Sequence, residues 1–504
     1  MTAAADITLF LPDDAATAQL GEDLTLALKA GDCLALSGDL GAGKSALARA
    51  FLRALADDET LDVPSPTFTL VQSYALRIAV SHFDLYRLGD PSELVELGFD
   101  EALETGICLV EWPEMADGAL PADRILLRLD HEGSGRRATI RVPQDRAARL
   151  HRVLSIRSFL DRQGYGGARR RFLTGDASLR AYESVYPAGA EDRLILMDWP
   201  RRPDGPAVLD GKPYPKVAHL AEDVYPFVAL AKTLRGAGFA APEILAGDYG
   251  QGLLLIEDLG SQGILDADGN PIAERYGESV ACLAHLHGLR IARDIAVAPA
   301  HIHHIPDFDR TAMTIEARLL LDWYLPWKRG TPPTETERAE YLAVWNHLID
   351  ELAGCETGLL LRDFHSPNII WREAETGLKR IGLIDFQDAM IGPTAYDLAS
   401  IVQDARVTIE PPLAEALMAG YLSLRRQAAG FDEPAFLKSF AIMSAQRNCK
   451  LAGIWVRLKE RDGKPGYMRH IPRTLAYLRT ALRHEALAPL RDWCARAGID
   501  GSES

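Results

Sequence analysis

Hydrophobic and polar positions change rhythm several times along this chain, and each change predicts an element. The apolar run in "DCLALSGDL" predicts a buried strand feeding a glycine turn, and "SALARAFLRALA" (45–56) has the spacing of the helix that follows. Two further apolar runs each end in a carboxylate, "RIAVSHFD" at Asp84 and "GICLVEW" at Glu111. "DRILLRLDHEGSGRRATIRV" (123–142) alternates around a Gly-Ser-Gly turn and predicts a hairpin. A polar, arginine-rich helix is expected around 145–163 as a link to the remainder. From about residue 165 the style shifts to short strands in "LRAYESVYP" and "RLILMDWP", then a proline- and glycine-dense loop over 200–215. Helical periodicity follows at 219–236, another strand in "GQGLLLIEDLG", and mostly helix after residue 274, as in "YGESVACLAHLHGL" and "AEYLAVWNHLIDELAG". Strand, glycine loop and helix in that order predict an α/β domain. Strands first and helices later predict an α+β part, with a small sheet lobe on a larger helical lobe. The expected divisions are 1–145, a helical linker 146–164, a sheet lobe 165–272 and a helical lobe 273–504.

A length of 504 residues exceeds what one hydrophobic core serves, in agreement with two or three domains. The formal charge of −16 is unevenly spread: residues 1–150 hold 25 acidic and 13 basic side chains. Such a surface repels phosphate backbones, so no direct nucleic-acid binding is expected, and any link to RNA runs through a protein partner. The six cysteines include no C-x-x-C pair, which argues against a zinc site or disulfide framework and for a reducing compartment. "MTAAADITLF" lacks a basic segment followed by an apolar one, and no apolar run reaches membrane-spanning length. The expected location is the cytoplasm, with no membrane association.

"GDLGAGKS" (38–45) fits the phosphate-loop pattern G-x-x-x-x-G-K-[ST] between a strand and a helix. Gly38, Asp39, Leu40, Gly41, Ala42, Gly43, Lys44 and Ser45 are therefore candidate nucleotide contacts. Gly38 and Gly43 permit the path that turns N–H groups inward; Lys44 should reach the β- and γ-phosphates of ATP and Ser45 the magnesium ion. A second carboxylate is needed for the metal and a group to orient the nucleophile, for which Asp84 and Glu111 are candidates; each could equally be a solvated acid at a strand end. Trp112 could cover a base or fill a core edge. Together "GDLGAGKSALARAFLRAL", "VPSPTFTLVQSY", "HFDLYRLGDPSELVELGFDEAL" and "CLVEWPE" resemble the bacterial TsaE ATPase subunit of the tRNA threonylcarbamoyladenosine machinery, over roughly residues 7–142. The resemblance implies a partner-dependent P-loop ATPase serving a tRNA-modification protein complex. It makes Ser45 and Glu111 magnesium ligands, Asp84 the catalytic or water-positioning acid, and Thr67 part of a switch-like loop.

A second constellation lies far downstream. "LLRDFHSPNIIW" (360–371) carries Asp363 and, five residues on, Asn368; "IGLIDFQDA" (381–389) places Asp385 after an apolar strand. This spacing supplies a base for an acceptor hydroxyl, Asp363, and two oxygen ligands for magnesium, Asn368 and Asp385. "TGDASLRAYESVY" offers Gly175 and Ser178 where a nucleotide-covering loop should lie. The lysine that kinases place on the third strand is missing: "RLILMDWP" has Met197 and Asp198 there, so either Arg180, Lys212 or Lys216 substitutes or the phosphates are held differently. His365, Gln387, Asp388 and Arg447 are acceptor-site candidates that could as easily be structural. His301, His303 and His304 are expected to sit in a proline loop rather than on a metal, and "RRR" (169–171) to be solvated. The run "RDFHSPNIIW…GLIDFQDAMIGPTAYDLASIVQDARV", with "GDASLRAY" before it and "QRNCKLAGIWVRL" after it, resembles the aminoglycoside-phosphotransferase-like kinases over about 165–485. Within these it is most similar to the cell-wall amino-sugar kinases that phosphorylate N-acetylmuramate and N-acetylglucosamine at the anomeric hydroxyl. That subfamily likewise replaces the strand lysine, and Asp397 matches a position that braces the catalytic loop.

The resemblances imply a fusion of a tRNA-modification ATPase with an ATP-dependent amino-sugar kinase of peptidoglycan recycling. The alternative is a non-catalytic nucleotide-sensing module fused to a kinase of other specificity, such as an aminoglycoside phosphotransferase. The intact Asp363, Asn368 and Asp385 argue against a pseudo-kinase.

Overall fold

The computed structural model describes residues 4–116, 118–173, 180–190 and 192–499. The chain divides into two compact units, Met1–Asp198 and Trp199–Ser504.

The first unit begins β1 (Ala4–Leu11), α1 (Asp14–Ala27), β2 (Cys33–Ser37), α2 (Lys44–Ala56), β3 (Val71–Tyr74) and β4 (Val80–Asp84). Two short helices, α3 (Glu93–Glu96) and α4 (Phe99–Thr105), precede β5 (Ile107–Glu111), β6 (Ile125–Glu132) and β7 (Gly135–Pro143). These strands form one sheet in the order β1-β7-β6-β2-β5-β4-β3. Its centre is parallel, with β2 between β5 and β6 and β4 beside β5, whereas β6–β7 is the antiparallel hairpin read from the alternation. β5 is buried throughout, as a central strand covered on both faces must be, which explains its unbroken apolar run. The parallel register sets Asp84 beside Glu111, so both acids emerge at the same carboxyl edge of the sheet. Asp13 caps α1 by accepting a hydrogen bond from the Ala16 N–H at 2.8 Å.

Helix α5 (Gln144–Arg162) and the antiparallel strands β8 (Arg169–Leu173), β9 (Ala181–Tyr186) and β10 (Leu194–Asp198) complete this unit. Two expectations need correction here. Helix α5 is more than a polar link, because Leu150, Val153, Ile156, Phe159 and Leu160 are buried. The cluster Arg169–Arg171 is largely unsolvated: only Arg169 is exposed, while Arg170 is 1 % and Arg171 8 % accessible. Arg170 lies between two carboxylates, at 3.2 Å from Asp23 and 2.7 Å from Glu183, and Arg157 holds Asp23 from the other side at 2.7 Å. Arg171 reaches Asp57, Glu59 and Glu22. A basic tripeptide reads as solvated until chain-distant acids are folded against it.

The second unit opens with β11 (Ala207–Leu209), β12 (Lys212–Pro213), α6 (Tyr214–Val217), α7 (Tyr225–Gly236), β13 (Ile244–Asp248), β14 (Leu253–Glu257) and α8 (Ala273–His287). A hairpin of β15 (Asp294–Ala298) and β16 (His301–His304) follows, so the three histidines stand on a strand and not in a proline loop. Next come α9 (Arg310–Leu319), continued by a π turn, α10 (Leu325–Arg329) and α11 (Glu335–Asp350). Four short strands, β17 (Thr357–Leu360), β18 (Ile369–Trp371), β19 (Ile381–Leu383) and β20 (Met390–Pro393), carry the second constellation. Helices α12 (Ala395–Val402), α13 (Pro411–Arg425), α14 (Glu433–Glu460), α15 (Ile471–Ala481) and α16 (Ala488–Arg496) close the unit. Helix α14 is its buried spine: Met443, Ala445, Cys449 and Ala452 are inaccessible, and Leu319 O would lie 2.1 Å from a Cβ placed on Gly453. Only glycine allows that approach of α9 to α14.

No described helix is long and apolar enough to cross a membrane.

Candidate active sites

In the first unit the phosphate loop leaves β2 at Gly38 and enters α2 at Gly43. Gly38 has φ 139°, and a Cβ there would meet Leu129 O at 2.3 Å; Gly43 has φ 107°. Both positions therefore require glycine. Lys44 is 5 % accessible and donates to Gly38 O at 2.7 Å and Asp39 O at 3.0 Å, with its Nζ 3.6 Å from the centre of the Trp112 ring. Burial pushes the Lys44 ammonium below its ordinary pKa, and Glu111 counters part of that shift. The Ser45 hydroxyl donates to Glu111 Oε2 at 2.7 Å. The structure thus brings Ser45 and Glu111 together from residues 66 apart in sequence. Asp84 is 3 % accessible; its Oδ2 accepts from Ser65 Oγ at 2.7 Å and Thr67 Oγ1 at 2.9 Å. Neither acid is a solvated strand end. Trp112 packs against Tyr86 with ring centres 5.0 Å apart.

His82 was absent from the sequence-derived set, yet its Nε2 lies 2.9 Å from Glu111 Oε1 and the ring is buried. The sequence carried only a weak signal for it, a histidine two residues before Asp84 and so on the same face of β4; its partner Glu111 is fixed only by the parallel β4–β5 register.

In the second unit β17 pairs with β20 and delivers the chain to Arg362, which takes φ 71°. A left-handed non-glycine residue costs on the order of 1–3 kcal/mol and persists only when its surroundings enforce it. Asp397, on the first turn of α12 and inaccessible, supplies that enforcement by accepting from the Leu361 N–H and from the Arg362 N–H at 2.8 Å. The Arg362 guanidinium is buried, donating to Glu316 and to Ala218 O. Glu316 also takes Lys450 at 3.0 Å and Gln446 at 3.2 Å. Asp404 holds the far side of the loop, accepting from the Ser366 N–H at 2.8 Å and the Tyr276 hydroxyl at 3.0 Å.

β18 then pairs with β19 in the register Ile369↔Leu383, so Asn368 is carried to the start of the Asp385 turn. The Asn368 amide donates to Asp363 O at 2.9 Å and lies 3.4 Å from Asp385 Oδ2. Asp385 has φ 61°, a second left-handed position in the same site. Burial pushes the Asp363 carboxyl up, but Lys450, His365, Arg362 and Arg447 together outweigh it and hold the group below the ordinary aspartate range. Asp363 is thus an anion at neutral pH.

The remaining candidates fall in different places. Gln387 donates to Asp385 at 3.1 Å, and Asp388 accepts from the Ala221 N–H at 2.7 Å. Burial lowers the His365 pKa, so its ring is neutral. Arg447 shares a cavity of about 180 Å³ with Asp363, Lys450 and Arg457. Lys450 and Arg457 escaped sequence reasoning, although Arg447, Lys450 and Arg457 are spaced along one face of α14. At the place of the strand lysine, Met197 is buried and Asp198 is paired with Arg152. Lys216 is paired with Asp204 and Lys212 is exposed on β12. Gly175 and Ser178 lie outside the described residues; Arg180, one residue before β9, is half-buried.

Comparison with known proteins also finds two parts, but they part between residues 139 and 169 rather than at residue 198. Residues 11–139 match the model of the threonylcarbamoyl adenosine biosynthesis protein TsaE, and residues 169–431 that of the phosphotransferase enzyme family. The N-acetylmuramate/N-acetylglucosamine kinase of Caulobacter vibrioides is 32% identical over 351 residues, 67% of this chain and 94% of that protein. The kinase of the same name from Pseudomonas aeruginosa is 34% identical over 331 residues, covering 64% of this chain and 86% of that protein. The tRNA threonylcarbamoyladenosine biosynthesis protein TsaE of Haemophilus influenzae is 37% identical over 137 residues, 26% of this chain and 85% of that protein. The chain accordingly belongs to the phosphotransferase enzyme family, as an ATP-dependent phosphotransferase to which a TsaE-type P-loop domain is fused at the N-terminal side.

Proposed function

We propose that the second half is a kinase for the anomeric hydroxyl of N-acetylmuramate and N-acetylglucosamine. One observation carries this: the Asn368 amide bonds the Asp363 carbonyl at 2.9 Å and lies 3.4 Å from the Asp385 carboxylate, which a separate strand pair brings in, so the three residues share one site in a domain akin to kinases of those sugars. Asp363 takes the proton of the sugar hydroxyl as its oxygen bonds to the γ-phosphorus of ATP. The bond from that phosphorus to the bridging oxygen breaks, and ADP leaves. Asn368 and Asp385 present oxygen donors that suit magnesium, which when bound neutralises charge on the transferring phosphates. Gly175, Ser178 and Arg180 are assigned to the nucleotide's phosphates. An aminoglycoside acceptor is disfavoured, because the cavity at Asp363 is lined by the cations Arg447, Lys450 and Arg457, which repel a polycationic drug. Offering ATP with each sugar and with an aminoglycoside checks this: phosphate should pass to both sugars, and transfer to the drug alone, or to nothing, would refute it.

For the first half we propose a P-loop ATPase that acts within a tRNA-modification protein complex. Lys44 and the loop of residues 38–45 bind the phosphates, and Asp84 orients the attacking water. Ser45 and Glu111 bring a hydroxyl and a carboxylate oxygen together at the loop, the hard oxygen donors that would hold magnesium there. Lys44→Ala should fail to complement a cell lacking its own TsaE-type ATPase; full complementation would show the loop dispensable. The domain limits at about 145, 164 and 272, and a cytoplasmic site of action, complete the proposal. The six free cysteines accord with that compartment.

A further inference from the structure

The cavity beside Asp363 carries more positive charge than phosphoryl transfer to a neutral sugar requires. Four cations line it, Arg362, Arg447, Lys450 and Arg457. Two carboxylates face them: Asp363 in the cavity, and the inaccessible Glu316 behind it, which binds Arg362 and Lys450. Asp385 and Asp388 border the same loop, but Asp385 is committed to the Asn368 side and Asp388 to the Ala221 N–H. The cations are not equivalent. Arg362 is used by Glu316 and Ala218 O, Lys450 by Glu316 and the Tyr396 hydroxyl, and Arg447 by Gln403 O.

Arg457 differs. Its guanidinium sits 5.3 Å from the centre of the Tyr214 ring, which also lines the cavity, and its buried Nε has no hydrogen-bond partner among the described residues. The nearby acid, Asp462, is taken up by Arg461 at 2.7 Å. A guanidinium fixed over an aromatic ring, with donors left over and no carboxylate of its own among the described residues, is a receptor for an anion. The anion must belong to the acceptor, because this cavity holds the base that touches the acceptor hydroxyl.

We infer that Arg457, with Arg447 in support, binds the carboxylate of an acidic amino sugar and so sets the preference for N-acetylmuramate, which carries a lactyl carboxylate, over N-acetylglucosamine, which is the same sugar without it. The assignment rests on the amino-sugar kinase activity proposed above and adds the residue that reads the acid.

Steady-state kinetics of the full chain with both sugars tests it. Arg457→Gln should lower the ratio of kcat/KM for N-acetylmuramate over N-acetylglucosamine by about 10- to 100-fold, mainly through KM for the acid. Arg457→Lys, which keeps the charge but loses the fork, should restore part of that ratio. An unchanged ratio, or an equal loss for both sugars, would overturn the assignment. Transfer to neither sugar by the unaltered chain would instead sink the kinase proposal itself, so the two failures are distinguishable.

Discussion

Replacing Asp363 by asparagine should lower kcat for sugar phosphorylation by about 10²- to 10⁴-fold while leaving ATP binding at the phosphate loop intact. The substitution keeps the shape of the side chain and removes only its ability to take a proton. The cations around Asp363 sharpen the expectation for pH. Because Lys450, His365, Arg362 and Arg447 hold its folded pKa below the ordinary 3.8 despite burial, the carboxylate stays ionised as pH falls through 6 and 5. The acidic limb of kcat should therefore lie below about pH 4, so far as the chain remains folded. The sign is set by which effect wins: had burial dominated, the pKa would have risen and the limb would appear nearer neutrality. Rapid-quench measurement of a single turnover across pH 5–8 decides this, and a fall in the rate between pH 7 and 5 would refute an anionic Asp363. Loss of nucleotide binding in both halves of Asp363→Asn would contradict two independent sites.

The second large effect concerns stability and lies far from either site. Arg170→Met should destabilise the first unit by about 3–5 kcal/mol, because it leaves Asp23 and Glu183 as buried charges with one partner removed. Arg170 stays protonated in place: burial disfavours its charge, but Glu183 and Asp23 outweigh that effect. Arg169→Met, one residue away and exposed, should change stability by no more than about 0.5 kcal/mol. Hydrogen exchange of α1, α5 and β8 in the intact chain reports the difference without assuming that the whole protein unfolds in one step. Equal protection in the two variants would show that the buried arginine carries no special weight. The methionine variant fills a similar volume, so a loss of protection would reflect charge rather than a cavity.

Much of both sites could be read directly from the chain. The phosphate loop announces itself because its function needs glycines at fixed backbone positions, and Gly38 and Gly43 are where the backbone leaves the region open to other residues. Asp84 and Glu111 were found because apolar runs mark strands and ligands gather at strand ends. Asp363 and Asn368 were found because a short loop fixes their separation. His82, Glu316 and Arg457 were not found, for a common reason. Each acts on a partner that is remote in sequence, and nothing local distinguishes a histidine, glutamate or arginine with a purpose from one on a solvated face. The missing strand lysine shows the same limit: its absence was visible, but not that Asp198 in its neighbourhood pairs with Arg152.

The sequence by itself determined the order of the two parts, the phosphate-loop motif and the spacing of the candidate base and metal ligands, because these depend on local periodicity and on residues a few positions apart. Only the tertiary structure decided which charges are buried and with whom. It placed Arg170 between two acids, set Asp397 to hold Arg362 in a left-handed backbone, and turned one face of α14 into the cationic wall at Asp363. Charge pairing depends on distance and on exclusion of water, and both are properties of the packed chain.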